Sequence, residues 1–179
     1  MPVREPDAAW VERLRARDPE ALRELLDGWG PGLLAFLARF TGSRAEAEDL
    51  FQDVCLRVLE ALPRYRPAGR FRAWVFAIAA NAARDRLRRR AGEARALERR
   101  DAPSAVPPAD AVAAARESLD RVEEAVARLP DAQREVFLLR MHSGLAFREI
   151  AEMLDCPLNT VLGRMHDAVE RLRSAIDQR

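Results

Sequence analysis

Arginines and aromatic residues are concentrated in residues 64–90 of this 179-residue sequence. The segment has nine arginines and one acidic residue, a net charge of +8, whereas the whole chain has +1. An arginine guanidinium grips phosphate through a planar fork of donors, and an aromatic ring that stacks on an unpaired base contributes about 1–3 kcal/mol. Tyr65, Phe71 and Trp74 lie among these arginines. These residue types suit a strand of nucleic acid, although Phe71 and Trp74 fit core positions better than a binding surface.

An acidic segment precedes the basic one. Residues 46–60 contain five acidic residues and one arginine, a net charge of −4. On a helix whose apolar face carries Leu50, Val54 and Val58, the side chains of Asp49 and Asp53 project on a polar face. An acidic patch followed by a basic one suggests two different partners, and a merely solvated helix face is the alternative.

Residues for catalysis are scarce in this sequence. There is no glycine-rich loop for phosphate and no His/Cys set at metal spacing, and His142 and His166 are the two histidines. Cys55 and Cys156 are too isolated to predict a disulfide framework. We therefore expect no enzyme, no cofactor, no metal and no small-molecule substrate. The sequence also has no apolar run of membrane-spanning length and no signal peptide, so we expect a cytoplasmic protein without membrane insertion.

The elements that position these residues are predicted to be helices, because strand patterns are nearly absent. Asp18-Pro19 is a helix start, and Ser43 with Glu46 forms a second start signal. We expect the helix after Pro19 to bend or break near Gly30-Pro31. With a first helix at 7–17 and another at 71–90, residues 7–90 form a bundle of about four helices.

The apolar pattern fades between residues 91 and 115, where three prolines occur within six residues. Helical periodicity then returns, and a short helix, a turn at "DCP" and a longer helix form a helix-turn-helix pattern. The fold class is therefore predicted to be all-α, with two small helical domains, 1–90 and 116–179, joined by a flexible linker, 91–115.

Three N-terminal motifs and one C-terminal motif resemble those of a known family. "DPEALRELL", "AEAEDLFQDVCLRVLEAL" and "RYRPAGRFRAWVFAIAANAARDRLRRR" occur in the order seen in region two of the extracytoplasmic-function (ECF) sigma factors of bacterial RNA polymerase. "LPDAQREVFLLRMHSGLAFREIAEMLDCPLNTVLGRMHDAVERLR" is similar to their region four. The resemblance implies a promoter-recognition subunit with three partners: core RNA polymerase, promoter DNA and an anti-sigma factor.

The resemblance also implies site residues in region two. The polymerase-binding face would comprise Asp49, Gln52, Asp53 and nearby Leu59. The loop 63–70 would capture a flipped base, and Asn81 would read the minus-ten element. The complete minus-ten set is Arg64, Tyr65, Arg66, Arg70, Phe71, Trp74, Asn81, Arg84 and Arg88.

The second helix of the helix-turn-helix would read the minus-thirty-five element in the major groove. Arg164 suits guanine and Asn159 suits adenine, while Arg148 and Arg171 suit phosphates. The complete set is Arg148, Asn159, Thr160, Leu162, Gly163, Arg164, Asp167 and Arg171. The sequence departs from the family pattern, which has basic residues where Leu162 and Asp167 stand, a serine at Gly163, and often arginine at Ala77 and Ala80. Residues 143–179 carry a net charge of −1, so we expect this domain to bind DNA weakly on its own.

Linker length sets a further expectation. About 25 residues average about 25–30 Å as a coil and reach about 80–90 Å when extended, whereas the two promoter elements would lie about 70 Å apart. Polymerase must therefore hold the domains apart, and we expect the free protein to be compact or flexible. Two alternatives stay open: a stand-alone helix-turn-helix regulator, and a degenerate sigma-like decoy that sequesters an anti-sigma factor.

Overall fold

The computed structural model describes residues 5–66, 69–98 and 122–177, with side chains in the fourth helix described as far as Glu93. Every regular element in these ranges is helical, which confirms the all-α fold class. The elements are α1 (Ala8–Arg15), α2 (Pro19–Thr41), α3 (Arg44–Ala61), a 3₁₀ turn (Leu62–Arg64), α4 (Phe71–Glu98), α5 (122–127), α6 (Asp131–Ser143), α7 (Phe147–Met153) and α8 (Leu158–Asp177). Helix α4 thus continues into the segment expected to be the linker, and residues 99–121 lie outside the described part.

Side-chain caps determine where the first three helices begin. The carboxylate of Asp7 accepts from the Trp10 amide at 2.8 Å, and that of Asp18 accepts from the Glu20 amide at 2.8 Å. The Ser43 hydroxyl accepts from the Glu46 amide at 3.3 Å. Each oxygen satisfies an amide that has no partner within its own helix. Both predicted start signals therefore correspond to real helix starts.

Helix α2 runs from Pro19 to Thr41, so of the expected bend or break near Pro31 the break does not occur. Its buried residues continue on both sides of that proline, from Leu25 and Trp29 to Leu33 and Phe36. Packing along the whole stripe outweighs the one backbone hydrogen bond that proline removes.

Two glycines let α2 approach its neighbours closely. A Cβ atom at Gly30 would lie 3.4 Å from the Phe51 ring on α3, and one at Gly32 would lie 3.2 Å from the carbonyl oxygen of His142 on α6. Residues beyond the N-terminal bundle are thus packed directly against it. Helices α6 and α7 also pack on α4.

Helix α4 has buried residues on more than one face, because α6 and α7 pack on it in addition to the N-terminal helices. Phe71 and Val75 are buried one turn apart, and Phe76, Ala79 and Ala80 are buried as well. One hydrophobic core therefore continues from α1–α4 into α6–α8. The predicted DNA-binding segment lies between the two halves of the chain.

Candidate nucleic-acid interface

Helix α3 presents an acidic face to solvent. Asp49 and Gln52 are exposed, and Asp53 is half-buried and pairs with Arg57 at 2.8 Å. Leu50, Val54 and Val58 are buried on the opposite side. Leu59, which the sequence placed on the polymerase-binding face, is half-buried at its margin.

Leu56 belongs to this face, and the sequence reasoning missed it. Its side chain is 60% exposed, and it lies three residues after Asp53 and seven after Asp49, which places all three on one side of the helix. Water does not favour a large apolar side chain in this position. A leucine in helical register with the predicted acidic face was the signal that could have found it.

The predicted aromatic residues form one cluster at the start of α4. The Tyr65 ring lies 4.7 Å from Trp74 and 5.3 Å from Phe71, and Phe71 also makes edge contacts with Trp10 and Trp29 at 5.4 Å. Phe71 is 1% exposed and Tyr65 is 9% exposed, whereas Trp74 is half-buried. In this arrangement Phe71 can only support the site, and Trp74 has the accessible ring.

A cavity of about 240 Å³ lies beside these rings. Tyr65, Arg70, Ala73, Trp74 and Ala77 form one wall, and three residues of α7, Glu149, Glu152 and Met153, form the other. The half-exposed ring of Trp74 therefore faces a space that the C-terminal half of the chain helps to enclose.

The predicted phosphate-binding arginines are separated by the fold into two groups. Arg64, Arg66 and Arg88 are exposed, and Arg88 pairs with Asp85 of its own helix. Arg70 and Arg84 instead contact residues from the C-terminal half. Arg70 donates to Glu152, and the Nε atom of Arg84 lies 3.1 Å from Oε1 of Glu135.

Arg84 also contacts the residue predicted to read the minus-ten element. Its Nη2 group donates to the side-chain oxygen of Asn81 at 2.7 Å, and its Nε group donates to the carbonyl of Ala80 at 3.4 Å. The contact with Glu135 is therefore an ion pair rather than an aligned hydrogen bond. Asn81 is exposed.

The helix-turn-helix consists of α7, a turn containing Asp155 in the left-handed region (φ 48°), and α8. Asn159, Gly163 and Asp167 are exposed on α8, Leu162 is 41% exposed, and Thr160 and Arg164 are half-buried. Arg148 on α7 and Arg171 on α8 are exposed. Asp167 accepts from Gln133 of α6 at 3.4 Å. The geometry thus brings the predicted minus-thirty-five residues onto the two helices of a helix-turn-helix, with Arg164 partly covered.

Family models match both halves of the chain. Sigma-70 region 2 matches residues 25–93, and Sigma-70 region 4 matches residues 119–172. The ECF RNA polymerase sigma factor SigD of Mycobacterium tuberculosis is 35% identical over 178 residues, which cover 95% of this chain and 83% of SigD. The chain belongs to the ECF sigma factor family.

Further relatives agree with this membership. The ECF sigma factor ShbA of Streptomyces griseus is 35% identical, with 95% of each chain covered. Among solved structures, RpoE in complex with the anti-sigma factor NepR from Bartonella quintana aligns with a TM-score of 0.73 and 26% identity, covering 89% of this chain and 99% of RpoE. CnrH, solved with the cytosolic domain of CnrY, has a TM-score of 0.71 at 24% identity and covers 94% of this chain and 96% of CnrH, which shows a shared fold.

Two titratable groups of this sigma factor lie where its halves meet. Burial raises the pKa of Glu135, against the opposing effect of the positive charges of Arg84 and Arg164. Burial, with a smaller effect of Arg39, lowers the pKa of His142 from 6.5 to about 4. Desolvation therefore outweighs charge attraction at Glu135.

The described ranges hold neither a metal-binding cluster nor a membrane-spanning helix. No cluster of three or more His, Cys, Asp or Glu residues there is arranged to hold a metal ion. No helix there is both long and apolar enough to cross a bilayer.

Proposed function

We propose that this sigma factor binds core RNA polymerase through α3 and directs it to promoters. The observation that carries the proposal is the acidic α3 face, which bears Leu56 at 60% exposure among exposed polar residues. An apolar anchor surrounded by carboxylates suits a basic partner surface with an apolar centre. A DNA-binding face does not fit this combination, because carboxylates repel phosphates.

The promoter contacts follow from the same assignment. Residues 1–90 would act as the region-two domain, with Arg64, Arg66, Arg70, Arg84 and Arg88 along the strand, Trp74 against a base and Asn81 reading the minus-ten element. Tyr65 and Phe71 would support Trp74. Residues 116–179 would act as the region-four domain, with the exposed start of α8 in the major groove. The segment 91–115 would join them.

The protein would act in the cytoplasm as a non-enzymatic initiation factor. It would change where polymerase starts through binding alone, with no chemical step of its own. This follows from family membership, since promoters and core polymerase are found in that compartment.

An anti-sigma factor is proposed as the regulatory partner. The Bartonella RpoE structure contains the anti-sigma factor NepR, and RpoE aligns with nearly its full length to this chain. Exposed apolar residues such as Leu162 and Met141 supply contact area for a protein partner.

A core-binding assay tests the proposal. The double variant Asp49→Arg/Asp53→Arg reverses the charge of the α3 face, and Glu20→Arg, at an exposed position on α2, is the matched control. We expect the double variant to lose at least about tenfold in affinity for core polymerase, since like charges across an interface are strongly unfavourable. The control should bind as the parent does.

Core binding, together with transcription from an artificially opened promoter, separates the alternatives. A stand-alone helix-turn-helix regulator would bind duplex DNA and show no affinity for core polymerase. A decoy would bind an anti-sigma factor tightly without initiating on a promoter that has been opened artificially. Equal core affinity of the parent and the double variant would refute the role assigned to α3.

A further inference from the structure

The N-terminal part of α8 presents an exposed stripe without an arginine. The exposed residues in its first turns recur at spacings of three and four and comprise Asn159, Leu162, Gly163, His166 and Asp167. The buried residues Val161 and Ala168 lie on the other side, where α8 packs on α6 and α7. The second helix of a helix-turn-helix places its N-terminal part in the major groove. This stripe is therefore the surface that would meet the base edges.

Leu162 is the large apolar side chain that projects from this stripe. It is 41% exposed, whereas its apolar neighbours Leu158 and Met165 are half-buried and pack on the core. The neighbours on its other flank, Asn159 and His166, are exposed and polar. One side chain offers too little apolar area for the core of a protein interface, but it matches a single methyl group. In the major groove, the apolar group on a base edge is the 5-methyl of thymine.

Gly163 follows Leu162 and has no packing reason to be a glycine. Apart from proline, glycine is the residue least favourable to a helix interior. No atom of the described residues around it lies within 4 Å of the position that a Cβ atom would take. Glycine commonly occurs where a backbone must approach a ligand closely. Gly163 thus leaves a notch in the exposed stripe that nothing in the described part of the chain fills.

Arg164, the side chain best suited to guanine, is half-buried. Its positive charge acts on Glu135 of α6, whose side chain is 10% exposed. The charge of this guanidinium is therefore partly balanced within its own domain. Direct reading of base edges falls to the more exposed side chains of the stripe, which carry no positive charge. Such side chains discriminate between bases more than they contribute affinity.

We propose that the minus-thirty-five element of this sigma factor contains a thymine whose 5-methyl group packs on Leu162, in the notch that Gly163 leaves. This rests on the proposed function, because it assumes that α8 meets duplex DNA in the major groove. Leu162 and Gly163 are then specificity-determining residues, and apolar contact replaces an arginine–guanine pair. Asn159 lies one turn before Leu162 and can pair with an adenine of the same element. The preferred element therefore includes A·T pairs.

The first test identifies the element with holoenzyme reconstituted from core polymerase and the full chain. Holoenzyme selects from duplex promoters whose upstream element is random over about ten base pairs, one helical turn. The downstream element is opened artificially, so that the selection reports the upstream contact. We expect the parent to enrich a thymine at one position and Leu162→Ala to lose that preference. Ile176→Ala is the matched control, because Ile176 is 54% exposed on the same helix, about 20 Å away.

The second test removes the methyl group alone. Deoxyuridine replaces the enriched thymine and keeps its hydrogen-bonding groups. We expect the parent holoenzyme to bind the substituted promoter about fourfold more weakly, which is the usual effect of one buried methyl group. Leu162→Ala should bind both promoters alike, and Ile176→Ala should discriminate as the parent does. Urea unfolding of Leu162→Ala should match the parent, since the side chain is exposed.

The third test separates close approach at Gly163 from a structural role. Gly163→Ala should raise the urea midpoint, because alanine is the better helix former and its Cβ meets open space. The same variant should bind the selected element at least about fivefold more weakly, because the added methyl occupies the notch. Gly92→Ala on α4 also has an open Cβ position. This control should gain stability and keep the parent's preference for the selected element over a scrambled one.

The outcomes distinguish this inference from the proposed function. A thymine preference that depends on the methyl group and on Leu162 supports the inference. An enriched element without methyl sensitivity overturns it and leaves the sigma factor assignment intact. Methyl sensitivity that persists in Leu162→Ala also overturns it, and Leu162 is then left as a contact for a protein partner. If the parent binds core polymerase but enriches no upstream element, the region-four role fails and the inference fails with it.

Discussion

At the scale of single residues, Tyr65 shows how an arginine-rich loop is held in one place. Its ring lies against Phe71 and Trp74, and its carbonyl accepts a hydrogen bond from Arg15 of α1, which also donates to the Leu62 carbonyl at 3.2 Å. The loop is therefore fastened to the bundle at the point where α4 begins. The ring of Tyr65 therefore supports the site by packing, whereas the ring of Trp74 is more accessible to a ligand.

Replacing Tyr65 tests this supporting role. Tyr65→Ala should lower the free energy of unfolding by about 2–4 kcal/mol, because it leaves a void in a buried aromatic cluster. Tyr65→Phe keeps the ring and should lose much less. Urea unfolding of both variants provides the measurement. Equal losses for the two variants would show that the ring packing is not the cause.

His142 makes stability depend on pH. Its pKa is about 4 in the folded protein, whereas an unperturbed histidine has a pKa of 6.5. The pKa is lowered because burial and the charge of Arg39 disfavour the charged form. Between these two pKa values the unfolded chain binds more protons than the folded protein. The stability that neutral His142 contributes is therefore complete above pH 6.5 and is lost as the pH falls toward 4. We expect the urea midpoint of the parent to fall between pH 7 and pH 5, and His142→Gln to show a smaller fall.

His166 supplies the control for this measurement, since it is exposed and is the other histidine of the chain. His166→Gln should behave as the parent does at both pH values. Glu135 has a raised pKa and therefore contributes in the opposite sense, with stability lost as pH rises through its folded value. Variants are accordingly compared with the parent at the same pH. An identical fall in the parent and His142→Gln would contradict the assignment.

The sequence predicted which residues form the site, but it did not predict which other residues surround them. The arginines and Trp74 were predicted from charge and residue type and Asn81 from the family resemblance, and they lie on one helix and its preceding loop. Glu135 was not anticipated, because a glutamate early in a helix has no pattern that predicts burial. Its burial depends on α4 and α8, which are distant in sequence.

At the scale of elements, helix starts were predictable because they depend on adjacent residues. Asp18 and Ser43 cap α2 and α3 with their own side chains. The break expected at Pro31 does not occur, because the buried stripe of α2 depends on contacts with other helices. Adjacent residues do not reveal such contacts. The same limit applies to α4, because the burial of Phe76, Ala79 and Ala80 depends on helices that are distant in sequence.

Leu56 provides a prediction for α3 as an element. Leu56→Ala should weaken core polymerase binding by about tenfold, because a central apolar anchor typically contributes more than 1 kcal/mol to an interface. The free energy of unfolding should change little, since the side chain is 60% exposed in the free protein. Affinity is measured by titrating labelled sigma factor with core enzyme.

Leu26→Ala is the matched control for Leu56→Ala. Leu26 is also an exposed leucine, at 46%, but it lies on α2. Its replacement should leave core affinity unchanged. Similar losses for both variants would indicate a general effect of apolar surface rather than a specific α3 contact.

At the scale of the whole molecule, the packing of the two halves could not be read from the sequence. A pattern of apolar residues shows that each helix has a buried face but does not show which helices share it. The linker argument allowed either a compact or a flexible free protein, and the structure has α6 and α7 packed on the N-terminal bundle. The contacts that decide the outcome, such as Gly32 of α2 against His142 of α6, join positions that are distant in sequence.

Linker length gives the last prediction, because the packed and promoter-bound arrangements require different reach. The 23 residues between the described ends at 98 and 122 span at most about 80 Å when extended, against a separation of about 70 Å between promoter elements two helical turns apart. Deleting residues 103–112 cuts the maximum to about 45 Å. The shortened protein should bind core polymerase normally and lose most initiation on promoters that need both elements. A Gly/Ser segment of equal length in place of 103–112 should restore initiation, since only reach is required. Full activity of the shortened protein in a run-off transcription assay would mean that the two DNA-binding surfaces do not engage both elements at once.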